Sequence, residues 1–197
     1  MMTDYKTIET ISEGIFKDRG SRFLAFAYPV ENESDVNKYR NELKKKYFDA
    51  RHHVYAFHIG TENPFFRSSD DGEPSNSSGP PVLGQIRSFG LTNILIVVVR
   101  YFGGTKLGVP GLINAYKTAA SDALLNANII TKNIEIQLTV DFQYPDMNTV
   151  MRLLKHNGIH IINQCFETNC SIALTVDKQM YGWLVENLLK IKSINIR

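Results

Sequence analysis

No apolar run in this 197-residue sequence approaches the roughly 18 residues that a membrane-spanning helix requires. The longest, Ile94 to Val99, suits a buried strand instead. The first residues bring Asp4, Lys6 and Glu9 before any apolar stretch could form, so no secretory signal is expected and a cytoplasmic location follows by default. Cysteine is scarce: Cys165 and Cys170, separated by Phe-Glu-Thr-Asn, are the only two, too few for a disulfide framework. They could pair across a tight turn or join a metal site, but two further ligands at suitable spacing are missing nearby. Two free thiols in a reducing compartment are expected. An excess of charge of either sign is lacking too, with 22 Lys and Arg against 20 Asp and Glu. The parts of the chain before and after residue 131 are each close to balance. That excludes a strongly basic nucleic-acid module and leaves room only for a local basic patch. What is present, 43% hydrophobic and 21% charged residues, is ordinary globular composition, long enough for one large or two small domains.

The hydrophobic pattern predicts an α+β chain. Tyr5 to Phe16 and Arg22 to Pro29 read as strands around the turn-forming Lys17-Asp18-Arg19-Gly20. Ser34 or Asp35 can cap a helix to about Tyr47, striped by Val36, Tyr39, Leu43 and Tyr47, with Lys44 to Lys46 at its C-terminal end, where they suit the helix dipole. In a strand from His52 to Ile59, alternation places His53, Tyr55, Phe57 and Ile59 on one face and His52, Val54, Ala56 and His58 on the other. Gly60 to Gly90 shows little periodicity and is expected to be a long, functional or disordered loop. Asn93 to Arg100 is a central strand covered on both faces, and Pro110 can open a helix to about Asn126. After a boundary near Asn128 to Lys132, strand Asn133–Phe142 leads into a helix from about Tyr144 to His156, stopped at Asn157-Gly158. Strands 159–166 and 171–176 turn around residues 167–169, before a helix 178–191 and a short strand 194–196. This order is the ferredoxin-like split βαββαβ pattern. Two domains are expected, 1–130 and 131–197.

Chemistry concentrates between Asp70 and Tyr116. In Tyr101-Phe102-Gly103-Gly104-Thr105-Lys106-Leu107-Gly108-Val109-Pro110-Gly111, the glycines allow positive φ and close approach, and the helix entrance offers free N–H donors to an anion. Arg100, at the end of the strand, could grip a phosphate or carboxylate. Neither a Walker A loop nor a dinucleotide fingerprint fits this spacing, and the alternative is a tight corner whose glycines serve packing. Asp70, Asp71 and Glu73 could hold a divalent metal, act as an acid/base pair, be ordered by Arg100, or simply be solvated. His52 and His53 point to opposite faces and cannot share one metal, yet either could meet Asp71 or Glu73. His156 and His160 are separated by Gly158 and are discounted, and Ser75, Ser77 and Ser78 lack a nucleophile elbow.

Taken together, Ser21-Arg22-Phe23, Ala50-Arg51-His52-His53, Ser69-Asp70-Asp71-Gly72-Glu73-Pro74, Val97-Val98-Val99-Arg100-Tyr101-Phe102-Gly103-Gly104, Leu107-Gly108, and Gly111-Leu112 to Ala115-Tyr116 resemble the YigZ/IMPACT family. The likeness covers residues 1 to about 125, and the last third resembles the extra domain of bacterial members. The resemblance implies a first domain similar to the β/α two-layer fold shared by a small-subunit ribosomal protein and domain IV of elongation factor G, followed by a ferredoxin-like domain. It also implies a link to translation, since eukaryotic members bind a ribosome-associated activator and restrain an initiation-factor kinase. Some members carry peptidase names, for which this chain shows no metal-ligand set. Two departures stand out: Asn76-Ser77-Ser78-Gly79 replaces a Gly-Thr-Ala-Gly-like stretch, and Gly108-Val109-Pro110-Gly111-Leu112 replaces Gly-Thr-Gly-Gly-Leu. Asn114 also stands where the family often has a basic residue.

Two readings compete, beside a third in which the chain is a protein-interaction adaptor whose loop orders only on binding. In the first, the chain is a non-enzymatic, translation-linked factor that binds RNA, a ribosome-associated protein or a translation factor. Its surface would comprise His52, His53, Asp70, Asp71, Glu73, Arg100 and Tyr101, with Gly103, Gly104, Lys106 and Gly108 as the anion or partner site. Arg100, Gly103, Gly104 and the acidic stretch carry more weight than Lys106 in this reading. In the second, His53 with Asp71 or Glu73, with or without a metal, forms a hydrolase. Nothing in the sequence calls for a cofactor, a membrane partner or DNA specificity.

Overall fold

The computed structural model describes residues 2–167 and 169–197. It divides into two compact units, Tyr5–Lys132 and Asn133–Arg197, the latter joined by the first residues up to Asp4. The first unit runs β1 (Asp4–Ile8), β2 (Ser12–Asp18), β3 (Ser21–Pro29), α1 (Glu33–Lys46), β4 (His52–Ile59), β5 (Phe65–Ser69), α2 (Gly79–Ser88), β6 (Ile94–Tyr101), α3 (Gly108–Leu125) and β7 (Ile129–Asn133). Its sheet has the order β2-β3-β6-β4-β5, antiparallel throughout.

The central position of β6 explains its unbroken apolar run. Ile94, Ile96 and Val98 point into a core roofed by α2 and α3, while Leu95, Val97 and Val99 point into a second core closed by Val36 and Leu43 of α1. β4 obeys the expected alternation, with Val54 and Ala56 in the first core and Tyr55 and Phe57 in the second. The α3 side is built from small residues. Ala25 and Ala27 of β3 face Ala115, Ala119, Ala120 and Ala123 of α3, so the helix lies close on the sheet. The approach is tightest at Gly14 of β2, where a Cβ would stand 2.2 Å from the backbone nitrogen of Ala123. Ser12 Oγ donates to the Ala123 carbonyl (2.9 Å) and the Ile15 N–H to Asp122 Oδ2 (2.8 Å), fixing strand to helix on either side of that glycine.

Three expectations need correction in this unit. The strand expected over Tyr5–Phe16 is two strands: β1 leaves the large sheet and pairs with β7 instead. The expected loop Gly60–Gly90 contains β5 and α2. β5 is a five-residue edge strand with both phenylalanines exposed, and α2 opens on Gly-Pro-Pro and carries only Val82, Leu83 and Ile86 as buried aliphatic side chains, too short a stripe to announce a helix. Finally, α1 is capped by Asn32, whose side chain accepts the Asp35 N–H, while the Asp35 carboxylate accepts the Glu31 N–H.

The second unit contains β8 (Glu135–Gln143), a 3-10 turn (Tyr144–Asp146), α4 (Met147–His156), β9 (His160–Phe166), β10 (Asn169–Asp177), α5 (Lys178–Leu188) and β11 (Asn195–Ile196). The antiparallel order β11-β8-β10-β9 is that of a ferredoxin-like sheet, packed on Val150, Leu154, Leu184 and Leu188 of its two helices. Gly158 ends α4 at φ +64°. Cys170 is buried and Cys165 exposed, both as free thiols. The turn expected between these strands includes Thr168, which lies outside the described residues.

Replacing Gly14 by Ala places a methyl group inside the α3 backbone. The expected result is a loss of about 1–3 kcal/mol in urea unfolding at an unchanged denaturant slope, whereas Gly84→Ala, in the interior of α2 where a Cβ meets nothing within 4 Å, raises stability by about 0.5–1 kcal/mol.

Candidate functional site

The Asp-Gly pair opens the site. Asp71 (φ +43°) and Gly72 (φ +86°) occupy the two central positions of a turn closed by the Glu73 N–H on the Asp70 carbonyl (3.0 Å), the pattern of a type I′ turn. The Asp70 carboxylate organises the segment from Asn76 to Gly79. Oδ1 accepts the N–H groups of Ser78 (3.0 Å) and Gly79 (2.9 Å) and the Ser78 hydroxyl (2.7 Å), and Oδ2 accepts the Asn76 N–H (2.8 Å). It thereby caps α2 from outside the helix. Pro80 and Pro81 have no N–H, so the Gly79 bond satisfies the donor that the entrance would otherwise leave open. Burial alone would raise the Asp70 carboxyl, but the bonds from Gly79, Ser78 and Asn76 outweigh it and hold the group below the usual carboxylate range.

Glu73 turns inward. Its Oε1 accepts Arg100 Nη1 at 2.6 Å and the Tyr116 hydroxyl at 2.7 Å, with the Arg100 and Glu73 side chains only 8% and 4% exposed. Tyr116 is fully buried edge-on to Phe23, at 5.0 Å between ring centres. Burial first, and the Glu73 carboxylate next, push its phenol far above the ordinary range, so it stays a neutral donor. Arg100 also lies 5.4 Å from the Phe23 ring centre and 5.7 Å from that of Phe102. One carboxylate thus ties the loop to the central strand and to α3.

Beside this network lies a cleft of about 490 Å³. Of the residues expected from sequence, His52, Glu73, Arg100, Lys106 and Gly108 line it. Arg51, Phe102, Leu107 and Val109 line it as well, and these were missed. Only their position next to the named residues could have pointed to them. The entrance of α3, with no side-chain cap and no acidic residue in its first turn, stands at this cleft.

The remaining expected residues do other things. His52 Nδ1 donates to the Asp71 carbonyl (2.8 Å). The His53 N–H donates to Asp71 Oδ2 (2.6 Å), while its ring Nε2 donates to the Tyr47 carbonyl (3.1 Å). Burial pushes the His53 imidazole below its usual range, only partly opposed by Asp71, so the ring is a neutral donor. A His53-carboxylate pair is therefore not assembled, because the strand turns the ring toward α1 while Asp71 meets only the backbone. Among the described residues no three His, Cys, Asp or Glu gather as a metal site. The Tyr101 hydroxyl donates to Asp49 (2.7 Å) and Arg22 stacks on its ring. Gly103 is a packing glycine: a Cβ there would lie 1.9 Å from the Gly20 carbonyl carbon, and its N–H is taken by Ser21 Oγ at 3.1 Å. Gly104 (φ +88°) serves the turn. At this corner Lys106 lines the cleft and Gly103 does not.

An α+β unit whose acidic turn is pinned to its central strand beside a basic cleft, followed by a ferredoxin-like unit, defines a two-domain class, and comparison with known proteins places it. Residues 19–124 match the Impact N-terminal domain. An IMPACT family member of Haemophilus influenzae is 31% identical over 164 residues, covering 81% of this chain and 78% of that protein. The IMPACT family member YigZ of Escherichia coli is 31% identical over 160 residues, covering 80% and 77%. The chain belongs to the IMPACT family. A crystal structure of a hypothetical protein shares its fold at TM-score 0.79 and 24% identity, over 100% of this chain and 97% of that one.

Two outcomes are expected. Glu73→Gln leaves the Arg100 charge buried without its counter-charge and costs about 3–5 kcal/mol in denaturant unfolding, while Glu73→Leu combined with Arg100→Met and, so that the Tyr116 hydroxyl is not left without an acceptor, Tyr116→Phe costs far less than Glu73→Leu or Arg100→Met alone. Asp70 binds its proton near pH 3.9 in the unfolded chain and only at lower pH in the folded one. Its contribution is therefore complete above that value and lost as pH falls through the folded one. Asp70→Asn lowers stability by about 1–2 kcal/mol at neutral pH, and an acid titration of its melting temperature falls less steeply than that of wild type.

Proposed function

We propose that this protein is a translation-linked regulatory binding protein of the cytoplasm, docking through the Asp-Gly-Glu-Pro loop and the Arg-Tyr-Phe-Gly-Gly turn onto RNA or a ribosome-associated partner. The observation that carries this reading is the cleft itself. Arg51, Arg100, Lys106 and the uncapped entrance of α3 converge on it, against the single carboxylate of Glu73, which Arg100 already neutralises. Such an arrangement attracts a negatively charged partner. The link to translation rests on the family to which the chain belongs. The surrounding acids are consumed in holding the loop, which supports binding over hydrolysis. No helix among the described residues is long and apolar enough to cross a membrane.

Reversing the two exposed charges tests this reading without touching the buried pair. Arg51→Glu with Lys106→Glu is expected to keep the wild-type melting temperature and to lose co-sedimentation with ribosomes in cell extract by at least tenfold. Equal co-sedimentation of the double variant, or none for wild type, overturns the proposal.

A further inference from the structure

We infer that the cleft is a site for an unpaired nucleotide, taking one phosphate of a single-stranded nucleic acid at the α3 entrance and its base on the ring of Phe102. This inference rests on the binding role proposed above and names the ligand class of the same site. The anion half of the site is carried by two independent observations. The first turn of α3 has neither a side-chain cap nor an acidic residue, so the Gly108 and Val109 N–H groups are open to an acceptor. In the wall beside it, Arg100 is 7% exposed, and its Nε is buried with no hydrogen-bond partner among the described residues. A buried donor left without an acceptor is costly, and Arg100 belongs to the lining of the cleft, where a bound anion could supply one once the side chain turns. Glu73 occupies Nη1 and leaves that donor unserved.

The base half is supplied by the apolar walls. Phe102 is 54% exposed although it comes directly after the central strand, and Val109 is 46% exposed. Leu107, Leu112 and Pro74 complete the lining. An exposed aromatic ring beside a guanidinium and an ammonium is the element from which single-strand sites are made, because every base offers a flat face to stack. Size decides between a single strand and a duplex. At about 490 Å³, the cleft has the volume of a small-molecule pocket, room for a nucleotide, whereas a duplex keeps its bases stacked inside and presents only its backbone. Arg51 and Lys106 at the rim would meet the neighbouring phosphates.

The test measures fluorescence anisotropy of the full chain with a labelled single-stranded RNA of about ten nucleotides, the single-stranded DNA of the same sequence, and the RNA duplex. Single strands are expected to bind more tightly than the duplex, with RNA and DNA compared to identify the source. Phe102→Ala should weaken single-strand binding by about five- to a hundredfold at an unchanged melting temperature, with Phe102→Tyr restoring it. Lys106→Ala should reduce the slope of log affinity against log salt by about one. The inference is overturned by duplex binding as tight as single-strand binding, by unchanged affinity in Phe102→Ala, or by no single-strand binding in a protein that still co-sediments with ribosomes. That last outcome leaves the proposed function standing; loss of co-sedimentation as well removes both.

Discussion

The ion pair between Glu73 and Arg100 is the constraint on which the candidate site depends. It joins a turn residue, the end of the central strand and, through the Tyr116 hydroxyl, the side of α3. Taking both charges out of water roughly cancels what their attraction returns, so the pair adds little net stability compared with an apolar substitute. Its effect is on geometry. Only one placement of the Asp70–Glu73 turn brings the carboxylate to Nη1 of Arg100 and to a phenol that is itself locked against Phe23. With Glu73 so placed, Asp71 lies where it meets the His53 N–H and Asp70 where it caps α2. A loop rich in Ser, Gly, Pro and Asp is ordered by three carboxylates, each with a different protein partner.

Much of the fold was legible because burial dictates it. The unalternated run of β6, the alternation in β4, the stripe of α1 and the strand–helix rhythm of the last third each follow from which faces must leave water. What stayed hidden depends on partners distant in sequence. β1 pairs with β7, more than a hundred residues away, so nothing local marks its separation from β2. α2 opens on residues that read as breakers and is capped by Asp70, nine residues before Gly79. The glycine-rich corner could be read as packing or as an anion site, and both readings apply to different residues. Gly103 presses on Gly20, while Gly108 stands at the cleft.

The histidines obey the same rule. Adjacent strand positions send His52 and His53 to opposite sides, a fact available from sequence, but not that one ring would anchor to Asp71 and the other to the Tyr47 carbonyl. Arg51 and Phe102 stood inside the motifs that carry the family resemblance without being singled out for the site, for a related reason. Each belongs to a segment whose neighbours looked more reactive, and the cleft they line is assembled from the start of β4, the acidic turn, the end of β6 and the start of α3.

An overall charge of +2 gave no bulk argument for an anionic partner, yet bulk charge is the wrong measure here. Screening confines exposed charges to a reach of about 8 Å at physiological salt, so a partner responds to what stands at the rim and not to the chain's total. At this rim, the carboxylate in the lining, Glu73, is paired with Arg100, while Asp71, Asp70 and Asp49, bonded to the His53 backbone, the entrance of α2 and Tyr101, stand outside the lining. Arg51, Lys106 and the start of α3 carry no such commitment within the cleft. The acidic turn therefore builds the site and the basic residues give it its sign, a separation of roles that composition averages away.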